Sequence, residues 1–230
     1  ASPVSIEDVE VSSAQQRAAN ILGFIPLFTM IAAFTGAMSI ATDSTAGERE
    51  RGSLEALLVN PAPRGAIAGG KWLASTTTAM LSVFVTGSLL YALFKYVPLQ
   101  DLGIRFHVGP NQVVQILATL LPLCPFIAAI QMYVATFAKS FKEAQSYLSF
   151  LMMAQMIPGM MATMNTMSTK AWMHFVPWVG QQTLLTDIIG NKPISPVVFV
   201  VVGLLNLTLA FGVIRATAAL LHRERIIFGR

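Results

Sequence analysis

Long uncharged runs of apolar residues, separated by short polar stretches, organise this chain. Five runs are long enough to cross a bilayer, which takes about 20 apolar residues at 1.5 Å rise each. They predict helices at about residues 20–42, 66–96, 111–138, 144–166 and 194–215. The runs are continuous and not alternating, which selects helices over a membrane β-barrel. Pro26 in the first run, Pro122 and Pro125 in the third, and Pro158-Gly159 in the fourth predict bends. The stretch at about 171–191 is apolar but broken by Pro177, Gly180 and Gln181-Gln182. That pattern predicts a re-entrant or interfacial pair of short helices on the outer side, with Trp172 and Trp178 at headgroup depth.

Composition strengthens this reading. Of 230 residues, 54% are hydrophobic and 11% charged, and the mean hydropathy is +0.64. Soluble domains carry about 25% charged residues, so a soluble enzyme, a disordered chain and a disulfide scaffold are excluded. The single cysteine, Cys124, lies in an apolar run and has no intrachain partner for a disulfide. The fold class is all-α integral membrane: five transmembrane helices, one cytoplasmic helix between the first two, and one outer broken segment.

The net charge of +4 reports topology, because the basic residues sit between the runs. Arg49, Arg51, Arg64, Lys71, Lys139, Lys142, Arg215, Arg223, Arg225 and Arg230 fall on one side; Arg17, Lys95, Arg105, Lys170 and Lys192 fall on the other. The richer side is expected to be cytoplasmic, with the C-terminus inside and the N-terminus of this chain outside. Residues 1–18 then end an extracytoplasmic region. Their polar, acidic character is not that of a signal peptide, so a further spanning helix is expected upstream, making six in a full protein.

The most informative polar stretch is Asp43–Lys71. It opens with helix-start residues Asp43, Ser44 and Thr45, continues through the cluster Glu48-Arg49-Glu50-Arg51, and reaches an amphipathic helix, Ser53–Val59. Leu54, Leu57 and Leu58 share one face of that helix, and Asn60-Pro61 and Pro63 stop it. Such a loop serves either as a headgroup anchor for the flanking spans or as a docking helix of about 47–59 whose mixed charges pair with a cytoplasmic partner.

The stretch AGERERGSLEALLVNPAPRGAIAGGKWLAS resembles the first cytoplasmic loop of ABC-2 type ABC transporter permeases, and is especially similar to their sodium-exporting branch. There an E-R-E-x-G-[ST]-x-E segment precedes leucines and a small-residue run ending in G-K. The matching residues here are Glu48, Arg49, Glu50, Arg51, Gly52, Ser53, Glu55, Leu57, Leu58, Gly70 and Lys71. The later order is similar too: four more spans, P-W-V-G-Q-Q before the last, and a terminal tail rich in arginine and glutamate. The resemblance implies that residues 19–230 are an ABC-2 transmembrane domain of a multi-pass plasma-membrane protein. It implies two paired permease chains, as a homo- or heterodimer, and two separate cytoplasmic ATPase subunits. Those subunits, docked on Glu48 to Leu58, would carry the ATP and magnesium. Sodium is the first candidate cargo; a lipid, peptide or drug-like molecule fits the same loop, as does a non-transport assembly role.

The chain itself is expected to bind no cofactor or metal and to catalyse nothing. Gly70-Lys71 lacks the Ser/Thr and the upstream glycine of a phosphate-binding loop, and His107, His174 and His222 are scattered. An intramembrane hydrolase would need an acid, base or metal set that the pattern does not supply. No partner is expected to be nucleic acid. Among the intramembrane polar residues, Gln131, Gln155, Asn165 and Asn206 are the candidates for a substrate pathway, the alternative being interhelical glue. Met153, Met156, Met160 and Met164 form a stripe suited to packing, or to a lipid or dimer face, with a soft-metal path as a further reading.

Overall fold

The computed structural model describes residues 14–59, 61–96, 110–163 and 171–221. Among them every regular element is helical. The elements are α1 (Ala14–Thr42), a π turn (Asp43–Gly47), α2 (Glu48–Glu50), α3 (Ser53–Val59), α4 (Arg64–Tyr96), α5 (Pro110–Leu120), α6 (Leu123–Ala135), α7 (Phe141–Thr163), a 3-10 turn (Ala171–Phe175), α8 (Val179–Ile189) and α9 (Pro196–Leu220).

Among the described residues, four stretches are long and apolar enough to cross a membrane: Phe24–Glu50, Arg64–Leu93, Asn111–Ala135 and Pro196–Leu220. α7, where a fourth crossing is expected, has 23 residues but is not among the four. The third expected crossing is two helices, α5 and α6, which break around Leu121-Pro122. Pro122 and Pro125 lack the amide hydrogens that would carry one helix through.

Small residues let α1 and α4 approach closely. A Cβ on Gly36 would lie 2.5 Å from the Ser82 Cβ and 3.1 Å from the Ala79 Cα. The Ser75 hydroxyl donates to the Ala37 carbonyl at 3.0 Å, and the Ser82 hydroxyl to the Ala32 carbonyl at 2.8 Å. This is the packing that membrane helices use where hydrophobicity gives no preference for protein over lipid. α6 fills the centre: Leu123, Cys124, Ile127, Ala128 and Ala129 are fully buried against Phe34 and Ala37 of α1 and Ala210 of α9. Outward faces stay apolar and exposed, as at Leu81, Leu89, Phe150, Val200 and Leu204, the arrangement of a bundle whose surroundings are hydrocarbon.

Three sequence expectations change. No helix starts at Asp43-Ser44-Thr45; α1 runs on through them as the π turn. The hydroxyls of Thr42 and Thr45 bond back to Met38 and Ala41 of their own helix, at 2.7 and 2.6 Å, and cap nothing. Second, 47–59 is not one helix, because the chain turns at Arg51-Gly52, with Gly52 at φ 69°. A left-handed residue ends a helix, and glycine takes that conformation without strain. Third, the Trp178 ring, expected to face the headgroups, is turned inward and partly buried. It packs on Phe126 at 6.0 Å between centroids, among the core side chains. Trp172 is exposed.

Candidate functional site

Glu48, Arg49 and Glu50 form the last helical turn beneath α1, and consecutive helical residues point about 100° apart. Three adjacent side chains therefore fan out toward three different helices. The Glu48 carboxylate pairs with the Lys71 ammonium of α4, both largely buried, and Lys71 also donates to the Ser44 carbonyl at 2.6 Å. The Arg49 guanidinium donates to the Ala138 and Thr136 carbonyls at 2.7 and 2.9 Å. Those carbonyls close the C-terminal end of α6, where a cation complements the helix dipole. The Glu50 carboxylate accepts the Phe141 amide at 2.7 Å, the first N–H of α7, where an anion is favoured. Residues 49 and 50 thus clip together the end of one helix and the start of the next.

The start of α7 is capped locally as well. The Ser140 hydroxyl accepts the Glu143 amide at 3.2 Å, and the Glu143 carboxylate accepts the Lys139 amide at 2.6 Å. The Tyr147 hydroxyl donates to Glu143 at 2.5 Å. That bond first, and the Lys139 amide second, hold the Glu143 carboxyl below its ordinary range.

Much of the remainder of the loop is exposed. Arg51 pairs with Asp43 at 2.8 Å with both side chains about half exposed, and this hydrogen bond raises the Arg51 guanidinium above its usual value. Gly52, Ser53 and Ala56 are exposed, Leu54 is buried, and Leu57 is half-buried. The side chains of Glu55 and Leu58 lie outside the described residues. The predicted docking set is therefore divided: Glu48, Arg49 and Glu50 reach across to other helices, while Arg51, Gly52 and Ser53 form an exposed face whose bonds stay local, Arg51 to Asp43 and the Ser53 hydroxyl donating to the Glu48 carbonyl at 3.2 Å.

The predicted pathway residues are deep and poorly satisfied. Gln131 is fully buried; its amide donates to the Phe34 carbonyl at 2.9 Å while its own oxygen has no partner. Asn206 donates to Val202 at 2.9 Å and likewise leaves its oxygen unpaired. Neither amide atom of the buried Gln155 has a partner. One turn further along α7, a Cβ on Gly159 would lie 3.5 Å from the Gln182 amide nitrogen, which is also unpaired. α7 thus presents Gln155 and Gly159 on the face toward α8 and Leu27 of α1. Asn165 lies outside the described residues.

Two groups escape sequence reasoning. Gln182 reads as a turn breaker but is buried. Asp187, also buried, sits between the His174 ring nitrogen at 3.3 Å and the Lys192 ammonium at 2.6 Å, tying the 3-10 turn, α8 and the following loop together. A lone carboxylate inside LLTDIIG is the signal that marks it. Among the described residues no cluster of three metal-ligating side chains occurs.

A protein-family model described as ABC-2 family transporter protein matches residues 4–220. The ABC transporter permease protein NatB of Bacillus subtilis (strain 168) is 32% identical over 161 residues. That match covers 68% of this chain and 41% of the relative, so the chain spans less than half of the relative's length. No solved structure matches.

Proposed function

Since this chain belongs to the ABC-2 family of transporter proteins, we propose that it is the membrane-spanning permease of an ATP-driven exporter. A separate cytoplasmic ATPase docks on the exposed face of the 48–59 loop. The observation that carries this reading is the three-way tie of Glu48, Arg49 and Glu50 to α4, α6 and α7. A force applied at Arg51–Ala56 reaches all three helices through hydrogen-bonded charges, and the helices can respond as rigid bodies between two arrangements. The π turn at 43–47 is the bend point, a common place for such irregularities. Mere headgroup anchoring would not require these side chains to grip helix ends.

On this reading α7 is a fifth crossing from about residue 144, the loop is cytoplasmic, and the 171–191 segment is re-entrant from the outer side. Two such permease chains pair. Gln131, Gln155 and Asn206 contribute to the pathway, since amides left unpaired in a dry bundle gain partners only when water or substrate enters. Sodium as cargo rests on the likeness of the loop to the sodium-exporting branch. Lipid, peptide or drug-like cargo and a non-transport assembly role are the competing readings.

Co-purification with the cognate ATPase tests the docking claim. Arg51→Glu together with Ala56→Glu should abolish the complex while the permease remains folded; an undiminished complex would overturn it. ATP-driven efflux from vesicles, with sodium compared against hydrophobic dyes, tests the cargo. Efflux indifferent to sodium would remove that assignment.

A further inference from the structure

At the end of the bundle away from the charged loop, a cavity of about 220 Å³ lies between α1, α4, α5 and α8. Thr29, Gly87, Ser88, Tyr91, Val113 and Ile116 are among its walls. Thr29 is fourteen residues before the π turn, so the cavity begins roughly 20 Å from the loop at 1.5 Å per residue. Among the described residues α4 and α5 scarcely touch. Phe84 of α4, one of the cavity walls, is about half exposed.

The chemistry of the walls selects the occupant. The Thr29 hydroxyl is already committed to the Ile25 carbonyl at 2.7 Å. A Cβ built on Gly87 meets nothing within 4 Å, so the wall is recessed there. Water fills a cavity only where it finds two or more polar partners, and an empty one forfeits dispersion contacts. At this depth the surrounding medium is hydrocarbon. Tyr91, half-exposed three residues beyond Ser88, puts a phenol toward the outer end, where aromatic residues meet headgroups. We propose that this cleft is a resident lipid site, holding one acyl chain of an outer-leaflet phospholipid with its headgroup at the level of Tyr91. The chain would bridge α4 and α5, which scarcely touch among the described residues.

The test uses the whole protein in vesicles containing a phosphatidylcholine with a photoactivatable diazirine on its acyl chain, without nucleotide or ATPase. After illumination, adducts mapped by mass spectrometry should be enriched on peptides carrying residues 83–91 and 113–120. The reference is the outward face of α9 at Leu204 and Phe211. Gly87→Phe should fill the recess and remove the enrichment while leaving labelling of α9 unchanged; Val113→Phe is the second variant should the first misfold. Labelling spread evenly over all outward faces, or enrichment that survives both substitutions, overturns the proposal. Enrichment that appears only when the ATPase and nucleotide are added overturns it in favour of a transported lipid.

Discussion

The charged loop at one end of the bundle and the amides in its middle treat polar groups in opposite ways. At the loop, Glu48, Arg49 and Glu50 each find a partner on a different helix, with only Arg49 Nε among their buried atoms left unpaired, and the groups that Arg49 and Glu50 satisfy are themselves helix ends needing partners. In the middle, Gln131, Gln155, Gln182 and Asn206 are buried with unpaired atoms. The first arrangement fastens the helices; the second leaves them with something to gain by moving. The proposed function needs both, because a lever must be rigid where it is gripped and a path must be bistable where it opens.

The largest effect should come from the fastening side. Arg49→Ala removes two charge-assisted hydrogen bonds and strands two carbonyls, so stability should fall by about 3 kcal/mol. Denaturant titration in detergent micelles measures this, and Arg49→Lys should lose only part of it because an ammonium cannot fork to both carbonyls. On the other side the sign reverses. Gln155→Leu removes two unpaired buried atoms and should stabilise the protein by about 1 kcal/mol, and under the proposed function it should slow ATP-dependent efflux. A destabilised Gln155→Leu protein would erase the contrast between the two regions.

Glu50→Ala should cost about 1 kcal/mol, the scale of a lost helix cap. Faster hydrogen exchange at Phe141 and the rest of the first turn of α7 would report it. The smallest effect is acid sensitivity at Glu143, an exposed side chain whose carboxyl is held below its ordinary range by the Tyr147 hydroxyl and then the Lys139 amide. A lowered folded-state value means its contribution is complete above the unfolded value of about 4.3 and is lost as pH falls through the folded value. Glu143→Gln should flatten that part of an acid titration followed by helix content. An unchanged profile would show that Ser140 and Glu50 cap α7 without it.

Much of the architecture is readable from the chain. Prolines at 122 and 125 announce the break between α5 and α6, and Pro177 with Gly180 announces the short helical pieces at 171–189. The candidate site was legible as a segment and illegible as a mechanism. The charges of 48–51 stand out locally, but Arg49 meets carbonyls 87 and 89 residues away, and Glu50 an amide 91 residues away. Trp178 shows the same limit. Its composition suits an interface, but a left-handed backbone at φ 69° turns its ring onto Phe126.

What the residues alone determine is the medium and the elements: transfer from water to hydrocarbon is a sum over neighbouring side chains, so a run of apolar residues declares a crossing without reference to the rest of the chain. What needed the tertiary structure is every pairing between elements. Which carboxylate caps α7, which amides stay unpaired and where α4 parts from α5 depend on the rotation and register of packed helices. Those are set by small-residue contacts such as Gly36 on Ser82, which leave no periodic trace in the sequence.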